Sequence, residues 1–88
     1  MTEDQKFLEY AVHALVDDHE QVRIERVIDD YGVFFKIYVS KEDMGKIIGK
    51  KGRTAHALKT LLRVVGSRDQ NRVNMKIMDP ERDEAVAY

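Results

Sequence analysis

The chain has 88 residues, 43% of them hydrophobic, which suffices for one core and leaves no length for a second domain. It lacks cysteine, excluding disulfides and thiolate metal sites, and no apolar run approaches the roughly 20 residues of a membrane span. The net charge of −1 hides a polarity, because residues 41–72 hold nine Lys/Arg and three Asp/Glu whereas the rest hold six and thirteen.

The N-terminal stretch MTEDQKFLEY is acidic and has neither the basic nor the long apolar region of a signal peptide. The expectation is therefore a small soluble protein of the cytoplasm with no membrane partner. Thr2 and Gln5 have the form of a capping box. Phe7, Leu8, Ala11, Val12, Leu15 and Val16 follow at three- and four-residue steps, predicting an amphipathic helix from residue 3 to about 17. The stretches VRIERVI and VFFKIYV are rich in β-branched and aromatic residues, and DDYG between them carries turn chemistry, so they predict an antiparallel hairpin. Val33, Phe35, Ile37 and Val39 make one face of its second strand wholly apolar. In the first strand the alternation of Val22 and Ile24 slips to Val27, which predicts a bulge near Glu25 or Arg26.

Ser40 suits an N-cap, and KEDMGKII predicts a two-turn helix held by Met44, Ile47 and Ile48. After GKKG a second helix is predicted from Arg53 to about Val65, with Leu58, Leu61, Leu62 and Val65 as its apolar stripe and Gly66 as its cap. SRDQN reads as a loop. Val73, Met75 and Ile77 then alternate inward in a last strand that ends at Pro80. The order is α-β-β-α-α-β in one domain over residues 1–80, with 81–88 as a short frayed tail.

The glycines of IIGKKGRT interrupt helical sequence, where each costs about 1 kcal/mol relative to alanine. Glycine lets another molecule approach without a Cβ in the way. Lys50 and Lys51 place charge at the tip, and the helix starting after Gly52 presents unpaired N–H groups. Arg53 in its first turn opposes the helix dipole unless an anion occupies the site. The device suits a chain of phosphates. Mononucleotide motifs fail on spacing: counting from Gly45, Lys50 stands where a P-loop needs its second glycine, and Ile47 breaks a dinucleotide fingerprint.

IIGKKG, between two short helices and flanked by strands, resembles the (I/V)-I-G-x-x-G signature of KH domains, which bind single-stranded nucleic acid. The element order is similar to the type II arrangement, and GKIIGKKGRTAHALKTLLR within one domain resembles the small bacterial KhpA (YlqC-type) RNA-binding proteins. The resemblance implies an α+β type II KH fold, with a three-stranded sheet packed against three helices. It also implies single-stranded RNA as partner, its backbone clamped over about four nucleotides while bases lie in an adjacent groove. On this chain Gly49, Lys50, Lys51 and Gly52 would meet phosphates. Ile47, Ile48, Arg53, Thr54 and an edge of the last strand near Met75 would line the groove, and Arg63 would extend the positive track. The family further implies a post-transcriptional regulator or RNA chaperone, acting as a homodimer or with a larger KH-containing partner. Ala55 departs from the wider KH pattern, where a larger aliphatic residue is common.

Ile47 and Ile48 are adjacent, so one is expected in the core and one in the groove. Gly45 fits either a helix irregularity or a close-packing point. Arg68 and Arg72 fit peripheral phosphate contacts or solubilising charges. His13, His19 and His56 read as surface residues, and DDHE at 17–20 as a solvated turn without a metal. No nucleophile–base pairing or confined carboxylate pair is present, so no enzyme, cofactor or metal is expected. The reading of a different class is a protein-binding adaptor or dimerisation subunit, drawing on the acidic first helix and apolar strand faces.

Overall fold

Val33, Phe35, Ile37 and Val39 point to one side of the strand Gly32–Tyr38, and the helices assemble on that side. The computed structural model describes residues 2–68, 72–82 and 84–86, and the side chain of Lys50 also lies outside the described residues. In chain order the elements are α1 (Glu3–Leu15), a 3₁₀ turn (His19–Gln21), β1 (Arg23–Asp29), β2 (Gly32–Tyr38), α2 (Lys41–Arg68), β3 (Val73–Asp79) and β4 (Glu84–Ala85). The strands form one sheet in the order β1-β2-β3-β4. β1 and β2 are antiparallel, β2 and β3 parallel, and β3 and β4 antiparallel. Parallel neighbours need a long crossover, and α2 supplies it.

The core is one layer deep. Leu8, Val12 and Val16 from the α1 side and Ile47, Ala55, Leu58 and Leu62 from α2 meet Val33, Phe35, Ile37, Val73, Met75 and Ile77 of the sheet. The α2 span carries the two helices expected in the middle of the chain. Lys51 and Gly52 take φ of 62° and 74°, which no right-handed helix accommodates. Residues 41–50 and 53–68 are thus two helical arms joined at a left-handed turn. The second arm runs past Gly66 to Arg68, so that glycine lies inside the helix rather than capping it. With α1, these arms make the three helices of an α+β fold.

Four local expectations are corrected. Thr2 makes no capping hydrogen bond to the helix backbone; its hydroxyl donates to Asp4, whose carboxylate accepts from the Gln5 N–H at 2.7 Å. Pairing is continuous from Arg23↔Tyr38 to Asp29↔Gly32, so β1 has no bulge. Ile24, Arg26 and Ile28 share the inner face, and the apparent slip in alternation is Arg26 turned inward, its Nε 3.6 Å from the fully buried Asp4 carboxylate. The sheet has a fourth strand rather than three in all. Glu84 and Ala85, placed in the frayed tail from sequence, pair with Asp79 and Met78, and the Val86 N–H donates to the Ile77 carbonyl at 2.8 Å.

Candidate nucleic-acid interface

Ser40 and Asp43 start the first arm of α2. The Asp43 N–H donates to Ser40 Oγ at 3.2 Å, and that hydroxyl donates back to the carboxylate at 3.0 Å. The buried Asp43 carboxylate also accepts the backbone N–H groups of Asp17 and Asp18, both at 3.0 Å, from the connection that follows α1. Those two N–H bonds, then the Ser40 and Lys46 contacts, outweigh burial and hold its pKa at about 2. Lys46 bridges Asp17 and Asp43, and the Asp17 contact chiefly raises its own pKa. The arm leading to the glycines is therefore anchored at its start to a segment 25 residues distant. The DDHE run is more than a solvated turn, since its backbone holds that anchor. His19 there faces His13, Nδ1 to Nδ1 at 3.0 Å. Among the described residues no group of three His, Asp or Glu is placed for a metal ion.

At the far end of the arm Ile47 is buried in the core and Ile48 is half-buried against it. Gly49 is exposed and helical, and a Cβ built on it would meet no atom within 4 Å. Gly45, one turn earlier, is equally free. Neither a helix irregularity nor close packing accounts for it. Nothing inside the chain calls for glycine at Gly49, whereas Gly52 takes the left-handed conformation that favours it. Lys51 is exposed at φ 62°, where a side chain costs about 1–2 kcal/mol. Arg53 is exposed and Thr54 half-buried in the first turn of the second arm. Ala55 is fully buried, and its small side chain belongs to the core rather than to a groove wall.

Two expected site residues lie elsewhere. Met75 is fully buried, because the odd residues of β3 point at the helices; its side chain offers no surface to a ligand. Arg63 is exposed and borders a cleft formed with the starts of β2 and β3. Sequence reasoning did not identify that cleft, nor the Asp43 anchor, because the partners in each are far apart along the chain. The alternation that turns Phe34, Asn74 and Lys76 outward was its one local signal. No helix among the described residues is long and apolar enough to cross a membrane.

Comparison with known proteins adds an independent line. The family model described as KhpA/KhpB, KH domain, matches residues 5–77. RNA-binding protein KhpA of Chlamydia pneumoniae is 46% identical over 74 residues, covering 84% of this chain and 95% of that protein. The protein of the same name from Listeria monocytogenes is 43% identical over 68 residues, covering 77% and 90%. That of Borreliella burgdorferi is 34% identical over 74 residues, covering 84% and 90%. No solved structure gives a significant match.

Proposed function

The chain belongs to the KhpA/KhpB family of KH domains, and on that premise we propose that it binds single-stranded RNA at its Gly-Lys-Lys-Gly turn. The observation that carries the reading is Gly49, a helical glycine facing open space immediately before a left-handed turn. Its cost to the helix has no return inside the protein. A sugar-phosphate backbone lying across Gly49 would use the missing Cβ. Lys50 and Lys51 would neutralise phosphates, the N–H groups after Gly52 would donate to an anion, and Arg53 would be relieved of its clash with the helix dipole. Ile48 and Thr54 border the turn and would meet bases, while Ile47 supports them from the core. The protein acts as a binding module and not as an enzyme, in post-transcriptional regulation or as an RNA chaperone in the cytoplasm.

The test is Lys50→Asp combined with Lys51→Asp in a gel-shift assay with a single-stranded oligonucleotide. Retention of RNA is lost while the thermal melting curve barely moves. RNA binding equal to the unaltered protein would refute the reading. Each phosphate contacted contributes about −0.7 to the slope of log affinity against log salt, so a flat salt response would also contradict it.

A second reading, compatible with the first, is self-association or docking to a larger KH-containing protein. Leu61 and Val64, one turn apart on the second arm, are 54% and 58% exposed, and Tyr10 of α1 is exposed as well. Light scattering after size exclusion tests it. A dimer that Leu61→Glu dissociates supports the reading, and a monomer at high concentration counts against a homodimer.

A further inference from the structure

A well-formed concavity lies away from the glycines, at the rim of the sheet where β2 and β3 begin. It is a cleft of about 570 Å³, within the usual range of ligand sites. Gly32 brings its two sides together. The residue takes φ 126°, and a Cβ there would fall 2.4 Å from the Arg72 carbonyl oxygen. The Val33 N–H donates to that same oxygen at 2.7 Å, which ties the hairpin to the entry of β3.

The lining has the composition of a nucleotide site. Tyr31, at the hairpin tip, is 83% exposed, and Phe34 stands on the outer sheet face with the Lys76 ammonium 5.1 Å from its ring centre. Arg63 and Arg72 make no ion pair among the described residues. The one carboxylate in the lining, Asp29, accepts the Tyr31 N–H at 2.8 Å, and against Arg63, Arg72 and Lys76 the local balance stays positive. Asn74 accepts the Met75 N–H on its oxygen at 2.9 Å, leaving its amide NH₂ to donate. Aromatic faces beside cations and a free amide donor suit a stacked base, its phosphates and its edge. An acidic peptide would use the cations but not the flat aromatic surfaces.

We infer that this cleft is a second contact for single-stranded RNA, with Tyr31 and Phe34 stacking a base and Arg63, Arg72 and Lys76 holding its phosphates. The inference rests on the RNA-binding reading and extends the strand beyond the turn. Arg63 sits ten residues after Arg53 on one helical arm, about 15 Å along its axis. Four nucleotides clamped at the turn do not reach the cleft; a longer strand does.

The experiment measures fluorescence anisotropy of labelled oligouridylates of four and twelve nucleotides with the full chain at low salt. Three variants are compared: Tyr31→Ala, Arg72→Ala with Lys76→Ala, and Lys50→Asp with Lys51→Asp. Circular dichroism melting checks that each is folded. Tyr31→Ala weakens the twelve-mer about fivefold or more and leaves the four-mer unchanged. The Arg72/Lys76 variant lowers the twelve-mer salt slope by about 1.4. The turn variant weakens both lengths. Unchanged twelve-mer affinity and slope in both cleft variants overturn the inference. So does retained RNA binding with loss of an oligoglutamate decapeptide, which would make the cleft a peptide site. If only the turn variant binds both lengths normally, the turn reading fails while the cleft stands.

Discussion

Substituting Gly49 by alanine separates what the fold needs from what a ligand needs. The residue is helical, has no positive φ, and faces open space, so the added Cβ removes the backbone-entropy cost of glycine without a clash. That cost is about 0.5–1 kcal/mol, and the lower end applies so near the end of the first arm. In a domain of this size 1 kcal/mol moves Tm by about 4–8 °C, so Gly49→Ala raises Tm by about 2–4 °C. The same methyl would sit where the proposed phosphate backbone makes its closest approach. Crowding a packed contact by one carbon costs about 1–3 kcal/mol. Affinity for a single-stranded oligonucleotide then falls about fivefold to 150-fold. Differential scanning calorimetry and anisotropy titration read the two effects on one preparation. Gly45→Ala serves as the control, with a similar gain in Tm and a smaller loss of affinity, since it lies about 6 Å back along the helix. A more stable Gly49→Ala protein that binds RNA as tightly as the original would refute the assignment of that glycine to a ligand.

Three further outcomes follow from the packing. Gly32→Ala places a Cβ against Arg72 at an unfavourable φ, and chemical denaturation should show a loss of about 3 kcal/mol; an unaltered midpoint would mean that the hairpin and β3 are not in that contact. Arg26→Leu strands the buried Asp4 carboxylate and costs about 3 kcal/mol in urea unfolding, whereas Asp4→Leu with Arg26→Leu returns to within about 1 kcal/mol; equal losses in both would contradict a buried pair. The folded-state pKa of Asp43, about 2, lies below its ordinary 3.8, so its contribution is complete above pH 3.8 and is lost as pH falls toward 2. Acid unfolding followed by circular dichroism is expected to show that loss, and Asp43→Asn to flatten the profile in that window; an identical acid profile in the variant would refute the anchor.

The features legible along the chain were those set by neighbours a few residues away. The alternation from Val33 to Val39, the 3.6-residue rhythm of α1, the turn at Asp30–Tyr31 and the glycine-flanked lysines all lie within short windows, and each is found in the fold. Periodicity could also separate Ile47 from Ile48 without saying which was buried. Packing placed Ile47 in the core.

Some misread features had distant partners, and others had local competitors. Arg26 looked like a break in alternation because the Asp4 carboxylate it faces lies on another element. Thr2 and Gln5 had the right spacing for a capping box, yet Asp4 took the Thr2 hydroxyl and the Gln5 N–H for itself. Met75 was assigned to the groove, but the alternation of β3 turns its side chain to the core, and the short return of Glu84 and Ala85 carries almost no pattern in two exposed residues. Asp43 carried no signal in the sequence, because the Asp17 and Asp18 N–H groups that it accepts come from 25 residues or more away.

Local dihedral preference and side-chain spacing were enough to specify the elements and the Gly-Lys-Lys-Gly turn, since each depends on atoms within one or two helical turns. The pairing of β2 with β3, the inward arginine, the anchor of the first arm and the cleft beside Gly32 arose only when segments 22 to 40 residues apart were brought into contact. Burial made those choices, because a polar group out of water must find a partner wherever the fold brings one.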